Sequence, residues 1–156
     1  MKVLHKKTGE LHEAIIELVE DNDWETIEKS GEFKFNWKKE KPFLVHKIRL
    51  NVEENILGLI ATEEIPKEDR LHIRLIENGN SNKGRTKEYD YIAGCLMAHI
   101  CELAFEKKYD GFVSLKPKSE IINLYKNKYG FREMGQLLFT ELSNSELLIQ
   151  KYLEND

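Results

Sequence analysis

A nearly continuous apolar segment runs from Tyr91 to Phe105. Its polar residues His99 and Glu102 share one narrow helical face with the following Glu106. A helix with so little polar surface is buried on most sides, yet the segment is shorter than the roughly 20 apolar residues that cross a bilayer. It therefore predicts an interior helix that other elements of a folded domain must cover.

The residues before this segment predict a strand that ends in a loop. Leu71, Ile73 and Leu75 alternate with polar residues, which gives the strand one buried face. The strand leads into a glycine-containing loop from Glu77 to Lys87, and the apolar helix follows. Because the first N–H groups of a helix have no partner within it, a strand, loop and helix in this order form an anion-binding site.

Hydrophobic periodicity and turn residues place the other elements in a mixed α/β order. The further predicted elements are a helix at Gly9–Asp21, a short strand at Phe33–Trp37, a hairpin of Phe43–Leu50 and Ile56–Ile60, a strand at Gly111–Leu115, a helix at Ser119–Tyr129 ended by Gly130, and a strand at Gln136–Leu142. A last helix is predicted to open with a capping box of Ser143 and Glu146. Its inward residues would be Leu147, Leu148, Tyr152 and Leu153. The fold class is therefore α/β (α+β), with one domain over residues 1–156.

The charge balance excludes one broad class of partner. The chain has 24 basic and 28 acidic residues and a formal charge of −4, whereas a general nucleic-acid binder carries a basic excess. The start of the chain has no continuous apolar segment typical of a secretory signal. Cys95 and Cys101 are therefore expected to be reduced and buried, in a cytoplasmic protein. The five histidines have no metal-binding spacing, so no metal site is predicted. No stretch approaches the roughly 20 apolar residues that cross a bilayer, so no membrane segment is predicted.

The segment from Leu71 to Gly135 resembles the GNAT superfamily of acyl-CoA-dependent N-acetyltransferases. The matching pieces are LHIRLIE, NGNSNKGRTKEYD, YIAGCLMAHICELAFEKK, GFVSL and IINLYKNKYGF. The pattern KxYxxxAGxL is similar to that of a little-characterised bacterial branch; its residues are Lys87, Tyr89, Ala93, Gly94 and Leu96. The resemblance implies a mostly antiparallel central sheet flanked by helices, with acetyl-CoA as co-substrate and an amine as acceptor.

The phosphate-binding motif of the superfamily is altered in this chain. The family pattern Gln/Arg-x-x-Gly-x-Gly/Ala places Glu88 at its first position, Tyr91 at its glycine and Ala93 at its last position. A tyrosine at the glycine position requires that its ring point away from the phosphates.

The resemblance also implies which residues contact acetyl-CoA. A backbone N–H group of the segment Leu75, Ile76 and Glu77 would stabilise the oxyanion formed at the thioester carbonyl. The helix start and the cations of the loop would bind phosphates, and Lys118 stands where the family often has asparagine. The predicted phosphate contacts are Lys83, Arg85, Lys87, Tyr91, Ile92, Ala93 and Gly94.

Catalytic roles follow from the same resemblance. Tyr125 corresponds to the tyrosine that protonates the leaving thiolate, although its spacing to Gly130 is one residue longer than usual, and a packing role is the alternative. Glu77 is the predicted general base. His72, Glu63, Glu64 and a chain of water molecules are the alternatives.

Three functions are consistent with these features. The leading prediction is direct acetyl transfer from acetyl-CoA to an amine of a small molecule or protein. The alternatives are a non-catalytic acyl-CoA-binding or regulatory module and a protein-interaction domain that has lost the cofactor. The predicted partners are acetyl-CoA and an amine, without nucleic acid or membrane, and a homodimer is compatible with the sequence.

Overall fold

The computed structural model describes residues 1–155 and contains a nine-stranded sheet with four helices. The strands are β1 (Lys2–His5), β2 (Leu11–Leu18), β3 (Leu44–Leu50), β4 (Ile56–Ile65), β5 (Arg70–Asn78), β6 (Tyr89–Asp90), β7 (Val113–Leu115), β8 (Arg132–Met134) and β9 (Leu137–Thr140). The helices are α1 (Asp23–Lys29), α2 (Ile92–Glu106), α3 (Ile122–Tyr129) and α4 (Leu142–Tyr152).

The strand order in the sheet is β6-β1-β2-β3-β4-β5-β7-β9-β8. Neighbouring strands are antiparallel except β5 and β7, which pair in parallel. The mixed, mostly antiparallel sheet flanked by helices confirms the predicted fold class. A parallel pair requires a crossover, and here the crossover contains α2.

The two faces of the sheet carry separate cores. The larger core lies between the sheet and α2, which also packs against α4. Gly94 allows this close helix contact, because a Cβ atom at this position would lie 2.3 Å from the ring of Tyr152. The smaller core lies on the other face, where α1 and a 3₁₀ turn at Trp37–Glu40 cover β3, β4 and β5. Cys95 and Cys101 are free and buried, as predicted. None of the helices within residues 1–155 is long and apolar enough to span a membrane.

The amino-terminal prediction was wrong in one important element. The predicted helix Gly9–Asp21 is instead the strand β2, which pairs with β1 on one side and β3 on the other. Gly9 has a φ of +74° and makes the tight turn into β2. Leu11 and Leu18, two of the apolar residues whose spacing predicted the helix, are 47% and 53% exposed. Pairing on both edges outweighed the helical spacing of the apolar residues.

Smaller corrections concern segments with weak local signals. The predicted strand Phe33–Trp37 is irregular and leads into the 3₁₀ turn, while the short strands β6 and β8 were not predicted. The last helix begins at Leu142 without a side-chain cap, so Ser143 does not form the predicted capping box. Leu147 is 60% exposed, whereas Leu148 and Tyr152 are buried as expected.

Candidate functional site

A cleft opens where the two parallel strands separate. β5 and β7 pair over only three positions, Leu71–Ile73 with Val113–Leu115. Beyond them the strands diverge, and two adjoining cavities of about 270 Å³ and about 420 Å³ lie in the space between. We call this space the cleft. Phe35 and Tyr125 line both cavities.

A bulge in β5 shapes one wall of the cleft. Ala61 of β4 lies opposite Leu75, but the next residue, Thr62, lies opposite Ile73. Arg74 is therefore an extra residue in β5. A bulge of this kind bends the strand and redirects its backbone groups at the point where β5 leaves β7.

The direction of the backbone groups beyond the bulge follows from one hydrogen bond. The N–H of Gly79 donates to the carbonyl of Leu57 in β4 (2.8 Å) and therefore points toward β4. Because successive N–H groups along a strand point to opposite sides, those of Ile76 and Asn78 point away from β4 and into the cleft. Of the backbone groups predicted for Leu75 to Glu77, Ile76 thus supplies the N–H that faces the cleft.

The start of α2 has the backbone geometry of a glycine motif without the glycine. Tyr91 is left-handed, with a φ of +79°, and its N–H donates to Oδ1 of Asp90 at 2.8 Å. Its ring makes an edge contact with the ring of Tyr152. The position therefore has the conformation that glycine normally provides, as the motif alignment predicts.

The first amide groups of α2 form an open helix start. Cys95 donates the first helical hydrogen bond, to the carbonyl of Tyr91 (2.9 Å), so the N–H groups of Ile92, Ala93 and Gly94 have no partner within the helix. Ala93 lines the cleft beside them. Gly94 instead faces α4, and its role in packing is described above. This helix start can accept an anion.

The three cations predicted for phosphate binding do not form one free cluster. Nζ of Lys83 donates to Glu77 at 2.8 Å. Lys87 pairs with Asp90 at 3.4 Å. Arg85 is exposed and has no ion pair within the described residues 1–155. The charge available to an anion is therefore smaller than the sequence indicates.

Tyr125 lies in α3 and is only 8% exposed, with its ring packed against Tyr129 and Phe131. Its phenol has no hydrogen-bond partner among residues 1–155, and burial raises its pKa. The phenol is therefore protonated at neutral pH and available to donate. The N–H groups of both Gly130 and Phe131 donate to its carbonyl and end the helix.

Glu77, the predicted general base, is buried and fully hydrogen-bonded. It is 4% exposed, and its two oxygens accept four hydrogen bonds. The donors are the N–H groups of Lys34 (2.8 Å) and Phe35 (3.3 Å), Nε1 of Trp37 (2.9 Å) and Nζ of Lys83 (2.8 Å). Burial alone would raise the pKa of Glu77, but these hydrogen bonds outweigh it and the pKa is lowered. A carboxylate with four occupied lone-pair positions favours a structural role over proton abstraction.

The alternative bases are also engaged. Nδ1 of His72 lies 2.9 Å from Oγ of Ser114, and burial followed by the charge of Arg70 lowers the pKa of His72. Since the guanidinium of Arg70 only donates hydrogen bonds and also lies near Nδ1 (3.3 Å), Nδ1 is the unprotonated ring nitrogen. Glu64 accepts a hydrogen bond from Tyr109 and lies outside the cleft.

Two further predicted residues have distinct surroundings. Glu63 lies 3.7 Å from Arg74 in an ion pair. Lys118 is exposed at the rim of the cleft, with Nζ 5.5 Å from the ring centroid of Phe35. Sequence reasoning missed Phe35 as a residue of the site. The aromatic run FKFNW was the available signal, and it was interpreted as a strand.

Comparison with known proteins identifies the fold. No protein-family model matches the chain, and no curated protein matches it. Among solved structures, it is similar to the spermidine/spermine N-acetyltransferase SpeG from Vibrio cholerae, with a TM-score of 0.60 and 14% identity over 92% of this chain and 99% of that chain. It is also similar to nourseothricin acetyltransferase, with a TM-score of 0.57 and 13% identity over 83% of this chain and 97% of that chain.

A third similar structure is a mutant of the AtaT toxin bound to the carboxyl terminus of the antitoxin AtaR and to acetyl-CoA. Its TM-score is 0.53, with 14% identity over 88% of this chain and 98% of that chain. These structures are GNAT acetyltransferases, and the chain has the GNAT fold.

Proposed function

We propose that this protein is an acetyl-CoA-dependent N-acetyltransferase. The observation that carries the proposal is the phenol of Tyr125, which is protonated and has no hydrogen-bond partner in the described part of the chain, in the cleft that the N–H of Ile76 also faces. A donor for a developing oxyanion and an acid for a leaving group thus share one cavity. The similar structures support the cofactor, since one of them is bound to acetyl-CoA.

The residues of the cleft fit acetyl-CoA. The open start of α2 can hold the pyrophosphate, and Ala93 leaves room there because its side chain is small. The walls between Leu75 and Lys118 can hold the pantetheine arm. When bound, acetyl-CoA supplies the thioester whose acetyl group is transferred.

The reaction forms one bond and breaks another. The amine nitrogen bonds to the thioester carbonyl carbon, and the carbon–sulfur bond breaks. The N–H of Ile76 stabilises the carbonyl oxygen as it gains charge. Tyr125 donates its proton to the leaving thiolate sulfur. The proton of the amine passes to water, from which the phenolate of Tyr125 regains a proton.

Binding and turnover measurements test this proposal. Calorimetric titration with acetyl-CoA should give a micromolar Kd, and thiol release with a panel of amines should identify an acceptor. Ala93→Glu should abolish binding by adding bulk and negative charge at the helix start, while Ala93→Ser should retain it. Circular dichroism checks that both variants fold. No binding at millimolar acetyl-CoA would overturn the proposal.

A non-catalytic acyl-CoA-binding module is the second candidate. The four hydrogen bonds to Glu77 favour it, because they leave the predicted general base without a free oxygen to take the proton of an amine. Binding of acetyl-CoA without thiol release across the amine panel would support this candidate.

The acceptor class is a small amine or a protein amino group in this proposal. One structure of AtaT is a complex with acetyl-methionyl-tRNAfMet, so exclusion of nucleic acid stays a prediction for this chain. A single domain, a cytoplasmic location and a homodimer also stay predictions.

A further inference from the structure

A short segment before β3 is attached to β5 by the side chain of Glu77. We call residues Gly31–Trp37 the strap. Glu77 accepts hydrogen bonds from the N–H of Lys34 and of Phe35 and from the indole N–H of Trp37. These donors are 40 to 43 residues from Glu77 in the chain, so the contacts are purely tertiary.

The loop after β5 fastens the other end of the strap. The N–H of Asn80 donates to the carbonyl of Glu32 (2.8 Å), and its side chain donates to Gly31 (2.7 Å). The hydroxyl of Ser81 donates to Oε1 of Glu32 (2.7 Å). These residues belong to the loop predicted to bind phosphates. The strap and the loop are therefore joined, and Lys83 completes the connection through Glu77.

The strap forms a wall of the cleft through Phe35. The ring of Phe35 lines both cavities of the cleft and also a third cavity of about 130 Å³. That third cavity is bordered by aromatic residues of the strap and α1, among them Trp24, Phe33 and Trp37. Phe35 thus separates the cleft from an aromatic cavity.

Glu77 is suited to hold the strap. Its four donors have fixed positions in a backbone or a ring, apart from Lys83, and its lowered pKa keeps it ionised. Loss of the carboxylate would leave the buried indole N–H of Trp37 without an acceptor. Unpaired buried donors are costly, so the strap would move.

We propose that Glu77 is a positioning residue, which holds the strap so that Phe35 forms a wall of the cleft. The kinetic part of this inference rests on the proposed acetyl transfer, whereas the attachment of the strap does not. The two parts are therefore tested by separate measurements.

The attachment is tested without catalysis. Both tryptophans of the chain, Trp24 and Trp37, border the aromatic cavity, so intrinsic fluorescence reports on this region. Glu77→Gln should shift the emission to the red and increase the rate of trypsin cleavage after Lys34 about tenfold. Glu141→Gln is the control, since Glu141 pairs with Arg132 of the edge strand β8 (3.7 Å) and its loss should change neither signal.

The positioning role is tested by kinetics with Glu77→Gln and Trp37→Phe. Both should raise the Kd of acetyl-CoA about tenfold, because Phe35 lines both cavities assigned to the cofactor, and should change kcat at saturating acetyl-CoA less than about threefold. The pH profile of kcat should keep its acidic limb in Glu77→Gln. If Glu77→Gln does not fold, Trp37→Phe decides, because it removes one donor and keeps an aromatic ring.

Two results would overturn the inference. One is a strap that stays protected from trypsin in both variants. The other is loss of kcat and of the acidic limb in Glu77→Gln with an unchanged Trp37→Phe enzyme, which would make Glu77 the general base. A protein that binds no acetyl-CoA would fail the proposed function, and the proteolysis result would still decide the attachment.

Discussion

The two walls of the cleft arise from one parallel strand pair, yet they are held very differently. The β5 wall, from Leu75 to Asn78, pairs with β4, and buried Glu77 connects it to the strap and the loop. The opposite wall is the segment that follows β7. All three residues of β7 pair with β5, and the chain after them includes the exposed Lys116 and Lys118. Its contact across the cleft is the ammonium of Lys118 near the ring of Phe35.

This difference suits the two tasks assigned to the walls. A backbone donor for an oxyanion must be fixed before the reaction, and Ile76 lies on the well-connected wall. The opposite wall has few buried contacts between Lys116 and Glu120, so it can adjust around a substrate. Tyr125 follows that segment but is itself packed in α3.

The largest expected effect concerns the acid on the adjustable wall. Tyr125→Phe should lower kcat about 10³-fold with little change in the Kd of acetyl-CoA, because only the proton donor is removed. Thiol-release kinetics and calorimetry measure both quantities. Tyr129→Phe, a change to a buried neighbour, is the control. An unchanged kcat would show that Tyr125 only packs.

The fixed wall is tested at its backbone. Ile76→Pro removes the N–H that faces the cleft and keeps the ladder with β4, so kcat should fall about 10²-fold in a folded protein. Circular dichroism checks that the variant folds, and thiol-release kinetics measure kcat. Full activity in this variant would place the oxyanion donor elsewhere.

The walls should also differ in their contribution to stability. Glu77→Gln should lower the free energy of unfolding by about 2 kcal/mol at neutral pH, since it weakens buried hydrogen bonds. Glu120→Gln, the same change at an exposed site on the other wall, should stay within about 0.5 kcal/mol. Chemical denaturation measures both.

The pH dependence of this effect has a defined sign. The folded pKa of Glu77 lies below its unfolded value, so its contribution is complete above the unfolded pKa and is lost as pH falls through the folded pKa. The difference between wild type and Glu77→Gln should therefore shrink in acid. A difference that is constant with pH would contradict the hydrogen-bonded carboxylate.

The smallest expected effect is at the contact between the walls. Lys118→Met removes a cation near an exposed aromatic ring and should weaken acetyl-CoA binding about two- to fivefold. Calorimetry measures the change. A decrease in acetyl-CoA affinity above about 50-fold would identify Lys118 as a main phosphate contact. It would also show that the wall containing Lys118 is held in place and does not adjust.

Local patterns predicted the main elements from β5 onward, although they missed the short strands β6 and β8. The alternation around Leu71, the apolar run of α2 and Gly130 at the end of α3 each reflect neighbours close in sequence, and the structure contains the predicted elements. The amino-terminal half was less predictable. Ala14 and Ile15 fit a helical stripe, and only pairing with β1 and β3 makes this segment a strand.

The same division holds for the site. The sequence by itself determined the order of strand, loop and helix and the open start of α2, because both depend on local backbone geometry. The family resemblance added Tyr125 as the candidate acid. Only the tertiary structure decided the role of Glu77 and the place of Phe35. Glu77 and its partners in the strap lie about 40 residues apart in the chain. The sequence shows a glutamate at position 77, but it does not show whether the carboxylate is free to take a proton or accepts four hydrogen bonds.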